Sequence, residues 1–199
     1  MDVRNLTADA DVFTSNVFYV QGEHNVLVDA GQAPGIVSDI EDLDAVVLTH
    51  QHGDHVGELD TVLDTFDVPV YAYADHPRRS HEITDGQELR LGDETFEVVY
   101  TPGHADDHVS LLSATTLFSG DVVVYSDDAF EDGSFGRTDG LDQSRERLIQ
   151  SLEDLLSRMS DGVAAMYPGH GQSYEGDIRE VVERALSRAE RREPKYPDG

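Results

Sequence analysis

The stretch that decides the fold reads Thr49-His50-Gln51-His52-Gly53-Asp54-His55. It follows an apolar run of β-type residues, Ala45-Val46-Val47-Leu48, and precedes a segment in which apolar residues recur with helical spacing. The motif is therefore expected where a buried strand passes into a helix. In an extended chain, side chains two residues apart project to the same side, so His50 and His52 can reach one common point.

The residue types in this motif are those that bind zinc and its first-row relatives. Neutral imidazole and carboxylate groups are the usual nitrogen and oxygen ligands of these ions. Asp54 and His55 follow as the backbone turns into the helix, and they can face a point beside the first. The pattern His-x-His-x-Asp-His is expected by chance on the order of 0.002 times in a chain of this composition, so a solvated polar loop explains it poorly. We interpret the motif as one half of a metal site.

Three further ligand-type residues each follow a predicted strand. They are His104, Asp121 and His170, and the strands before them cover residues 96–100, 115–118 and 163–167. Each residue alone has an ordinary explanation, a turn histidine or a commonplace Gly-Asp pair. Together with the first motif they make seven imidazoles and carboxylates, enough to give each of two metal ions three ligands of its own and one shared carboxylate.

Hydrophobic periodicity predicts an α/β protein, with no internal repeat and no low-complexity linker. We expect one domain spanning 1–199, with a polar tail from about residue 193. Strands are expected at 16–20, 25–29, 45–49, 69–73, 87–91, 95–101, 108–112, 115–119 and 163–167. Helices are expected at 56–66, 148–159 and 178–189, the second ending before Gly162.

The composition excludes several classes of function. The 199 residues include 41 Asp and Glu against 14 Lys and Arg, a net charge of −27. Such a surface repels phosphate backbones and anionic lipid headgroups, so neither nucleic acid nor membrane is an expected partner. The chain has no cysteine, which rules out disulfides, thiolate ligands and a cysteine nucleophile. No apolar run is long enough for a membrane helix and no secretory signal is visible, so a cytoplasmic location is expected.

The acidity itself predicts a high-salt environment. Acidic residues are spread from Asp2 to Asp198 without a long block, and Lys195 is the only lysine. Hydrated carboxylates keep a protein soluble where salt screens their mutual repulsion. This bias resembles that of halophilic proteins, and it concerns the environment rather than the chemistry.

The strand-end motifs resemble those of the metallo-β-lactamase superfamily, and within it the compact form resembles the glyoxalase II branch. The resemblance runs from Asn16 through Asp29-Ala30-Gly31 to His170. It implies an α/β fold, a four-layer αβ/βα sandwich, with the metal site along one edge of two packed sheets.

Carried over by motif, the resemblance implies roles for individual residues. The first metal would be bound by His50, His52 and His104, the second by Asp54, His55 and His170, and Asp121 would bridge them. Asp29 would orient a ligand imidazole from behind, and His108 would be a supporting histidine of the same kind. Arg137, in Gly133-Ser134-Phe135-Gly136-Arg137-Thr138-Asp139, would either bind an anionic substrate group or pair with a nearby acid, and neither reading is favoured.

The resemblance also implies a hydrolase that uses a metal-bridging hydroxide, with Asp54 and Asp121 as catalytic residues. Two divalent ions about 3.5–4 Å apart lower the pKa of a bridging water toward roughly 7. Zinc is the expected metal, with iron or manganese as alternatives. A thiolate leaves without a strong general acid, so a thioester such as a hydroxyacyl-thiol, or a related ester, is favoured over an amide. The partner is a small-molecule substrate, and the oligomeric state is open, with a homodimer as one option.

Several alternatives stay open at this stage. A persulfide dioxygenase would use a single iron on His50, His104 and Asp121, and a lactonase or another hydrolase of the superfamily would share the whole core. A non-catalytic metal-binding protein is disfavoured because all seven ligands are present. Glutathione recognition is not implied, because only 29 residues follow His170 where glyoxalase II carries a further helical domain. The stretch 125–132 is either a lid or, as we favour, a solvated insertion.

Overall fold

The computed structural model of this chain describes residues 1–193, and the chain divides into two compact units, residues 1–98 and residues 99–199. The predicted polar tail begins at about residue 193 and thus falls outside the described residues. The prediction of a single domain over 1–199 stays a prediction.

The first unit is built on a six-stranded sheet in the order β1-β2-β3-β4-β5-β6. Its strands are β1 (Asp2–Asn5), β2 (Phe18–Gln21), β3 (Val26–Val28), β4 (Ala45–Val47), β5 (Val70–Ala72) and β6 (His81–Glu82). The first three strands pair antiparallel, and β3 to β6 pair parallel. An antiparallel hairpin follows, made of β7 (Glu88–Leu91) and β8 (Glu94–Tyr100), and the division between the units falls within β8.

The helical region after the metal motif differs from the prediction of one continuous helix. The structure has two helices, α1 (Gly53–Val56) and α2 (Leu59–Phe66). The chain is diverted between them because Gly57 packs against Gln32, where a Cβ would lie 2.6 Å from the Gln32 Cβ. The Glu58 amide donates to the Gly31 carbonyl at 2.9 Å instead of continuing the helix. The break fixes α1 as a short helix tied to the end of β3.

The apolar residues of the first unit form one buried cluster beneath this sheet. The strands contribute side chains such as Leu27, Val46 and Val70, and α2 contributes Leu59 and Val62 from the face that the sequence predicts to be apolar. The core residues are Val17, Tyr19, Leu27, Ala30, Ile36, Ile40, Leu43, Val46, Leu48, Leu59, Val62, Val70 and Ala72. Burial of this apolar surface fixes the sheet that carries the metal motif.

In the second unit a sheet runs in the order β14-β13-β10-β9 and continues into β8. Its strands are β9 (Val109–Leu112), β10 (Thr116–Gly120), β13 (Ala165–Pro168) and β14 (Tyr174–Glu175). Strands β10 and β13 are parallel, whereas β9–β10 and β13–β14 are antiparallel. A small antiparallel ladder joins β11 (Val123–Val124) to β12 (Ser134–Phe135).

Two amphipathic helices, α3 (Arg145–Arg158) and α4 (Ile178–Glu190), complete this unit. The side chains of Ser144 and Asp177 cap them by accepting from the amides of Arg147 and Glu180 at 3.3 and 3.0 Å. Their apolar stripes are buried, as the periodicity predicts, and the core includes Leu148, Leu152, Leu155, Val181, Val182, Ala185 and Ala189.

The predicted strands and helices are confirmed within a few residues, including the hairpin between β2 and β3. Strands β1, β6, β11, β12 and β14 were not predicted, since most of them are two residues long and carry no readable alternation. Across the described residues, none of the helices combines the length and the apolarity needed to cross a membrane.

Candidate metal centre

Parallel pairing of β3 and β4 brings the first group of predicted site residues to one edge of the sheet. Asp29 directly follows β3, and the motif Thr49–His55 begins just beyond β4. The carboxyl ends of parallel neighbours lie at the same edge, so a side chain after β3 meets side chains after β4. The Ala30 and Gly31 amides both donate to the His55 carbonyl, at 2.8 and 3.1 Å.

Asp29 organises this edge with a single buried carboxylate. Its Oδ1 accepts from the Thr49 amide, and its Oδ2 accepts from the Thr49 hydroxyl and faces His55 Nδ1, each at 2.8 Å. Only 2% of the residue is exposed, and its φ is 62°, in the region that non-glycine residues rarely occupy. A carboxylate is acceptor-only, so His55 donates its Nδ1 proton to Asp29 and keeps the lone pair of Nε2 for a ligand.

The other side chains of the motif lie close to His55. The rings of His50 and His55 have centroids 4.0 Å apart, and His50 Nε2 lies 3.0 Å from His52 Nδ1. The ligand atoms of Asp54 and His55 are within 4.8 Å of each other. The Thr49 hydroxyl donates to Asp29, so it accepts the Nδ1 proton of His50 at 3.2 Å and leaves His50 Nε2 as a lone-pair atom. The first unit therefore gathers Asp29, His50, His52, Asp54 and His55.

The second unit gathers the other three predicted ligands at the ends of its strands. Asp121 follows β10 and His170 follows β13, the parallel neighbours of this sheet, and His104 follows β8. The Nε2 atoms of His104 and His170 lie 3.3 and 3.5 Å from Asp121 Oδ2. Asp121 and His104 are buried, and His170 is partly exposed.

The surroundings of His104 and Asp121 show how these side chains are oriented. His104 Nδ1 donates to the backbone carbonyl of Arg137 at 3.1 Å, which leaves its Nε2 lone pair toward Asp121. His108 is fully buried and accepts from the Asp121 amide at 2.8 Å, so its Nδ1 proton goes to the Thr101 hydroxyl, also at 2.8 Å. Both nitrogens of His108 are thus engaged with protein groups, and His108 supports the backbone of Asp121.

The donor chemistry of each half fits a divalent transition-metal ion. In the second unit a ring nitrogen that carries a lone pair faces a carboxylate oxygen, and in the first unit His50 Nε2 faces His52 Nδ1. The lone pair and the carboxylate attract one another only through a positive charge between them, either an additional proton or a metal ion, whereas the two imidazoles can share an ordinary N–H···N hydrogen bond. Imidazole nitrogens oriented from behind by a carboxylate or a carbonyl are the usual arrangement of a metal-binding histidine.

Glycine is required where β12 passes Asp121. A Cβ on Gly136 would lie 1.9 Å from the Asp121 carbonyl oxygen, closer than any real contact. The Gly136 amide donates to the Val122 carbonyl at 3.1 Å, which holds this close approach. The sequence shows Gly136 only as part of a motif, and the contact with Asp121 depends on tertiary structure.

Arg137 pairs with a neighbouring acid, one of its two predicted partners. Its Nε and Nη2 donate to the two carboxylate oxygens of Asp139 at 3.2 and 3.0 Å, and its side chain is exposed. Hydrogen bonding from Arg137 is the main cause that lowers the pKa of Asp139 from its ordinary 3.8. A role of the Arg137 side chain in substrate binding stays a prediction. Its backbone carbonyl accepts the Nδ1 proton of His104 and thereby orients that ring.

The stretch 125–132 is a structured turn. Gly133 donates to the Tyr125 carbonyl at 2.6 Å, and the rings of Tyr125 and Tyr174 stack with centroids 3.9 Å apart. The Asp127 carboxylate accepts from the amides of Ala129 and Phe130. These contacts order the stretch while its residues stay partly or fully exposed, and the interpretation as a solvated insertion stays a prediction.

The comparison with known families decides the fold. Residues 10–82 and 71–170 match the sequence profile of the metallo-β-lactamase superfamily. The chain belongs to the metallo-β-lactamase superfamily. The resemblance based on the strand-end motifs is therefore confirmed.

Individual curated relatives show how far the sequence similarity extends along this chain. A hydroxyacylglutathione hydrolase from Hydrogenovibrio crunogenus is 33% identical over 104 residues, which make up 49% of this chain and 39% of that protein. The chain thus matches about two fifths of the length of such curated relatives.

Solved structures confirm the predicted fold over most of the chain. ETHE1 from Myxococcus xanthus superposes with a TM-score of 0.73 at 24% identity, covering 97% of this chain and 92% of that one. TTHA1623, solved in a di-iron-bound form, gives a TM-score of 0.66 at 26% identity, covering 87% of this chain and 98% of that one.

Proposed function

We propose that this superfamily member is a dinuclear metallo-hydrolase that cleaves a thioester, or a related ester, of a small molecule. The observation that carries the proposal is the orientation of the ring nitrogens in both halves. Asp29 takes the Nδ1 proton of His55, and the Arg137 carbonyl takes that of His104, at 2.8 and 3.1 Å. Both rings are thereby prepared to bind a metal through Nε2 before any ion arrives.

The proposed ligand sets follow the motif order. One ion is assigned to His50, His52 and His104, the other to Asp54, His55 and His170, and Asp121 is assigned as the shared carboxylate. Zinc is the proposed metal, because three histidines with a carboxylate suit it well. The relative solved in a di-iron-bound form supports a two-metal centre and keeps iron as the alternative.

The bound ions would supply an acidified water and a Lewis acid that polarises the substrate carbonyl. The residues of the chain position these groups. Asp29 and Thr49 fix the His50–His55 segment, and His108 holds the amide of Asp121. Asp54, next to His55, is the proposed carboxylate partner of the attacking water: its carboxylate would take up the proton that the water loses as it adds to the carbonyl carbon, and would then release it to solvent.

A thioester is the proposed substrate class because of the leaving group. A thiolate departs without protonation, whereas an amide nitrogen needs a general acid, and the predicted site residues offer no strong one besides Asp54. The name hydroxyacylglutathione hydrolase, borne by the curated relatives, describes hydrolysis of an acyl derivative of a thiol and supports this choice. A small-molecule substrate also suits the net charge of −27, which disfavours nucleic acid.

The test is a substrate panel on protein whose metals have been counted. Purified protein at high salt is assayed with thioesters, esters, lactones, β-lactams and phosphodiesters, and oxygen uptake is measured with a persulfide. We expect two metal ions per chain and the highest kcat/KM on a thioester. His52→Ala is expected to lower kcat/KM by at least about 100-fold, since loss of a ligand costs more than loss of an outer partner.

His76→Ala is the matched control. His76 is partly exposed and its Nδ1 accepts from the Arg78 amide, away from the motif, so this variant should retain wild-type kcat/KM. Hydrolysis unaffected by His52→Ala would contradict the proposal. Oxygen uptake with one iron per chain would replace it with the persulfide dioxygenase alternative.

A further inference from the structure

Arg188, on the last turn of α4, holds a turn that belongs to no assigned site. Its guanidinium donates to the carbonyl of Glu131 at 2.7 Å and to the carbonyl of Gly133. Its other terminal nitrogen donates to Asp132 Oδ1 at 3.1 Å, and its carbon lies 4.9 Å from the centre of the Phe130 ring. One planar cation therefore binds three acceptors of three consecutive residues.

The turn 131–133 has a backbone that needs such support. Asp132 has a φ of 57° and Gly133 a φ of 137°, both in the left-handed region. A Cβ on Gly133 would lie 2.6 Å from the carbonyl oxygen of Val181, so the turn packs directly on α4. Arg184 adds a second contact, its Nη1 lying 3.1 Å from Asp132 Oδ2.

The same turn leads within four residues to the second half of the metal centre. Gly133 is followed by β12, which pairs with β11 in the register Val124–Ser134 and Val123–Phe135. Directly after β12, Gly136 packs on the Asp121 carbonyl, and the Arg137 carbonyl accepts the Nδ1 proton of His104. A shift of the turn along α4 would move these two backbone groups together.

We propose that Arg188 is a positioning residue for the metal centre, which fixes His104 and Asp121 through the turn 131–133 and β12. This inference rests on the proposed function, because it concerns the ligands assigned there. The guanidinium is suited to the task since its planar fork serves several acceptors in one plane, whereas a lysine ammonium is a single point.

The hydrophobic core explains why Arg188 is not needed to hold α4 itself. Val181, Val182, Ala185 and Ala189 are buried in the core of this unit, and the Arg188 side chain is 22% exposed. Removal of Arg188 should therefore leave the helix packed and release the turn. The expected loss lies in the precision of the ligand geometry more than in folding.

The experiment compares Arg188→Ala and Arg188→Lys with Arg191→Ala in the full chain, with Co²⁺ as the probe metal. Arg191 ends the same helix, carries the same charge and is largely exposed, with Glu193 at 3.8 Å. Affinity is measured by competition with a chromophoric chelator, and ligand geometry by the visible absorption of bound Co²⁺, well below the melting temperature. Arg188→Ala should bind Co²⁺ about tenfold more weakly and with an altered spectrum, as for other outer partners of metal ligands.

Arg188→Lys should give an intermediate affinity, and Arg191→Ala should match the wild type in both readouts. Arg188→Ala with wild-type affinity and spectrum but a lower melting temperature would overturn the inference and leave the proposed function intact. If Arg188→Ala does not fold, Arg188→Lys decides, and wild-type behaviour of that variant overturns the inference. A wild-type chain that binds no Co²⁺ contradicts the proposed function itself, and the inference with it.

Discussion

At the scale of single residues, Asp29 determines the geometry of the first half-site. One carboxylate serves the Thr49 amide, the Thr49 hydroxyl and the His55 ring. The residue holds this position despite a φ of 62°, which costs a non-glycine residue about 1 kcal/mol or more. The surrounding bonds, among them the Asp29 amide to the Val47 carbonyl at 2.9 Å, offset that cost.

Asp29→Asn is expected to weaken metal binding about 10–100-fold. The new amide nitrogen would donate where Thr49 and His55 now donate, so His55 would shift its proton to Nε2 and lose its ligand lone pair. Loss of hydrogen bonds to a buried charge should also lower the free energy of unfolding of metal-free protein by about 1–3 kcal/mol. Chelator competition and urea denaturation measure the two effects.

Asp75→Asn is the control for this change. The Asp75 side chain is 95% exposed and forms an ion pair with Arg79, four residues later in the chain, at 3.2 Å. Exposed pairs of this kind contribute little, so metal affinity and stability should both stay near wild type. Equal metal affinity for Asp29→Asn and Asp75→Asn would show that Asp29 does not orient His55.

The ligand types in this centre and two supporting residues, Asp29 and His108, could be predicted from the sequence motifs, but the other partners could not. His50, His52, Asp54 and His55 are close in sequence, and their spacing alone indicates a shared ion. The groups that orient the rings are a backbone carbonyl, at Arg137, and side chains such as Thr101. Their roles depend on which loops meet in space, and a carbonyl leaves no residue-type signal at all.

At the scale of secondary-structure elements, the two-residue strand β12 has the most consequence for the site. It carries Gly136 and Arg137 past Asp121 and His104. Apolar periodicity predicted the long strands and both long helices, because burial of one face dictates their pattern. It gave no signal for β11 and β12, and it merged α1 with α2 because the apolar spacing continues across the break at Gly57.

Gly136→Ala should be strongly destabilising and Gly53→Ala should not. The Gly136 Cβ would meet the Asp121 carbonyl at 1.9 Å, and relief requires backbone movement. We expect a loss of about 3 kcal/mol in the free energy of unfolding, typical of severe overpacking. A Cβ on Gly53 meets nothing within 4 Å, and alanine at the start of α1 should be neutral or stabilising by about 0.5 kcal/mol.

Urea denaturation of metal-free protein measures both glycine variants. Both glycines lie next to predicted metal ligands, and they differ in the space that is free for a Cβ atom. A Gly136→Ala variant as stable as Gly53→Ala would show that β12 does not pass Asp121 as closely as described.

At the scale of the whole molecule, the chain is strongly acidic, and its predicted metal ligands add carboxylates and histidines close to one another. Bound cations should therefore stabilise the fold. For a metal at 100 times its Kd the gain is about 2.7 kcal/mol, which corresponds to about 5–10 °C in melting temperature for a chain of this size. Removal of metal by a chelator should lower the melting temperature by that amount, and re-addition of Zn²⁺ should restore it.

Thermal denaturation with and without chelator measures this coupling. His52→Ala serves as the comparison, because a chain lacking one proposed ligand should show a smaller shift on chelation. An unchanged melting temperature of the wild type after complete metal removal would contradict the coupling between metal binding and folding.

The net charge of −27 gives a separate prediction about salt. Screening shortens the range of repulsion from about 10 Å at 0.1 M to about 3 Å at 1 M salt. The melting temperature should therefore rise between 0.1 and 2 M KCl, as expected for a halophilic protein. A neutral osmolyte at equal osmolality is the control, since it leaves charge repulsion unscreened. A flat or falling melting temperature in KCl would count against the halophilic interpretation.

Because the backbone at Asp29 is left-handed, substitutions at this one position can separate the requirements of folding from those of metal binding. Only glycine, asparagine and aspartate tolerate this conformation readily, so a saturation library at position 29 should yield those three among well-expressed clones. Of the three, aspartate alone accepts every donor that meets it there. A screen for expression would then accept glycine and asparagine besides aspartate, whereas a screen for metal retention would keep aspartate alone.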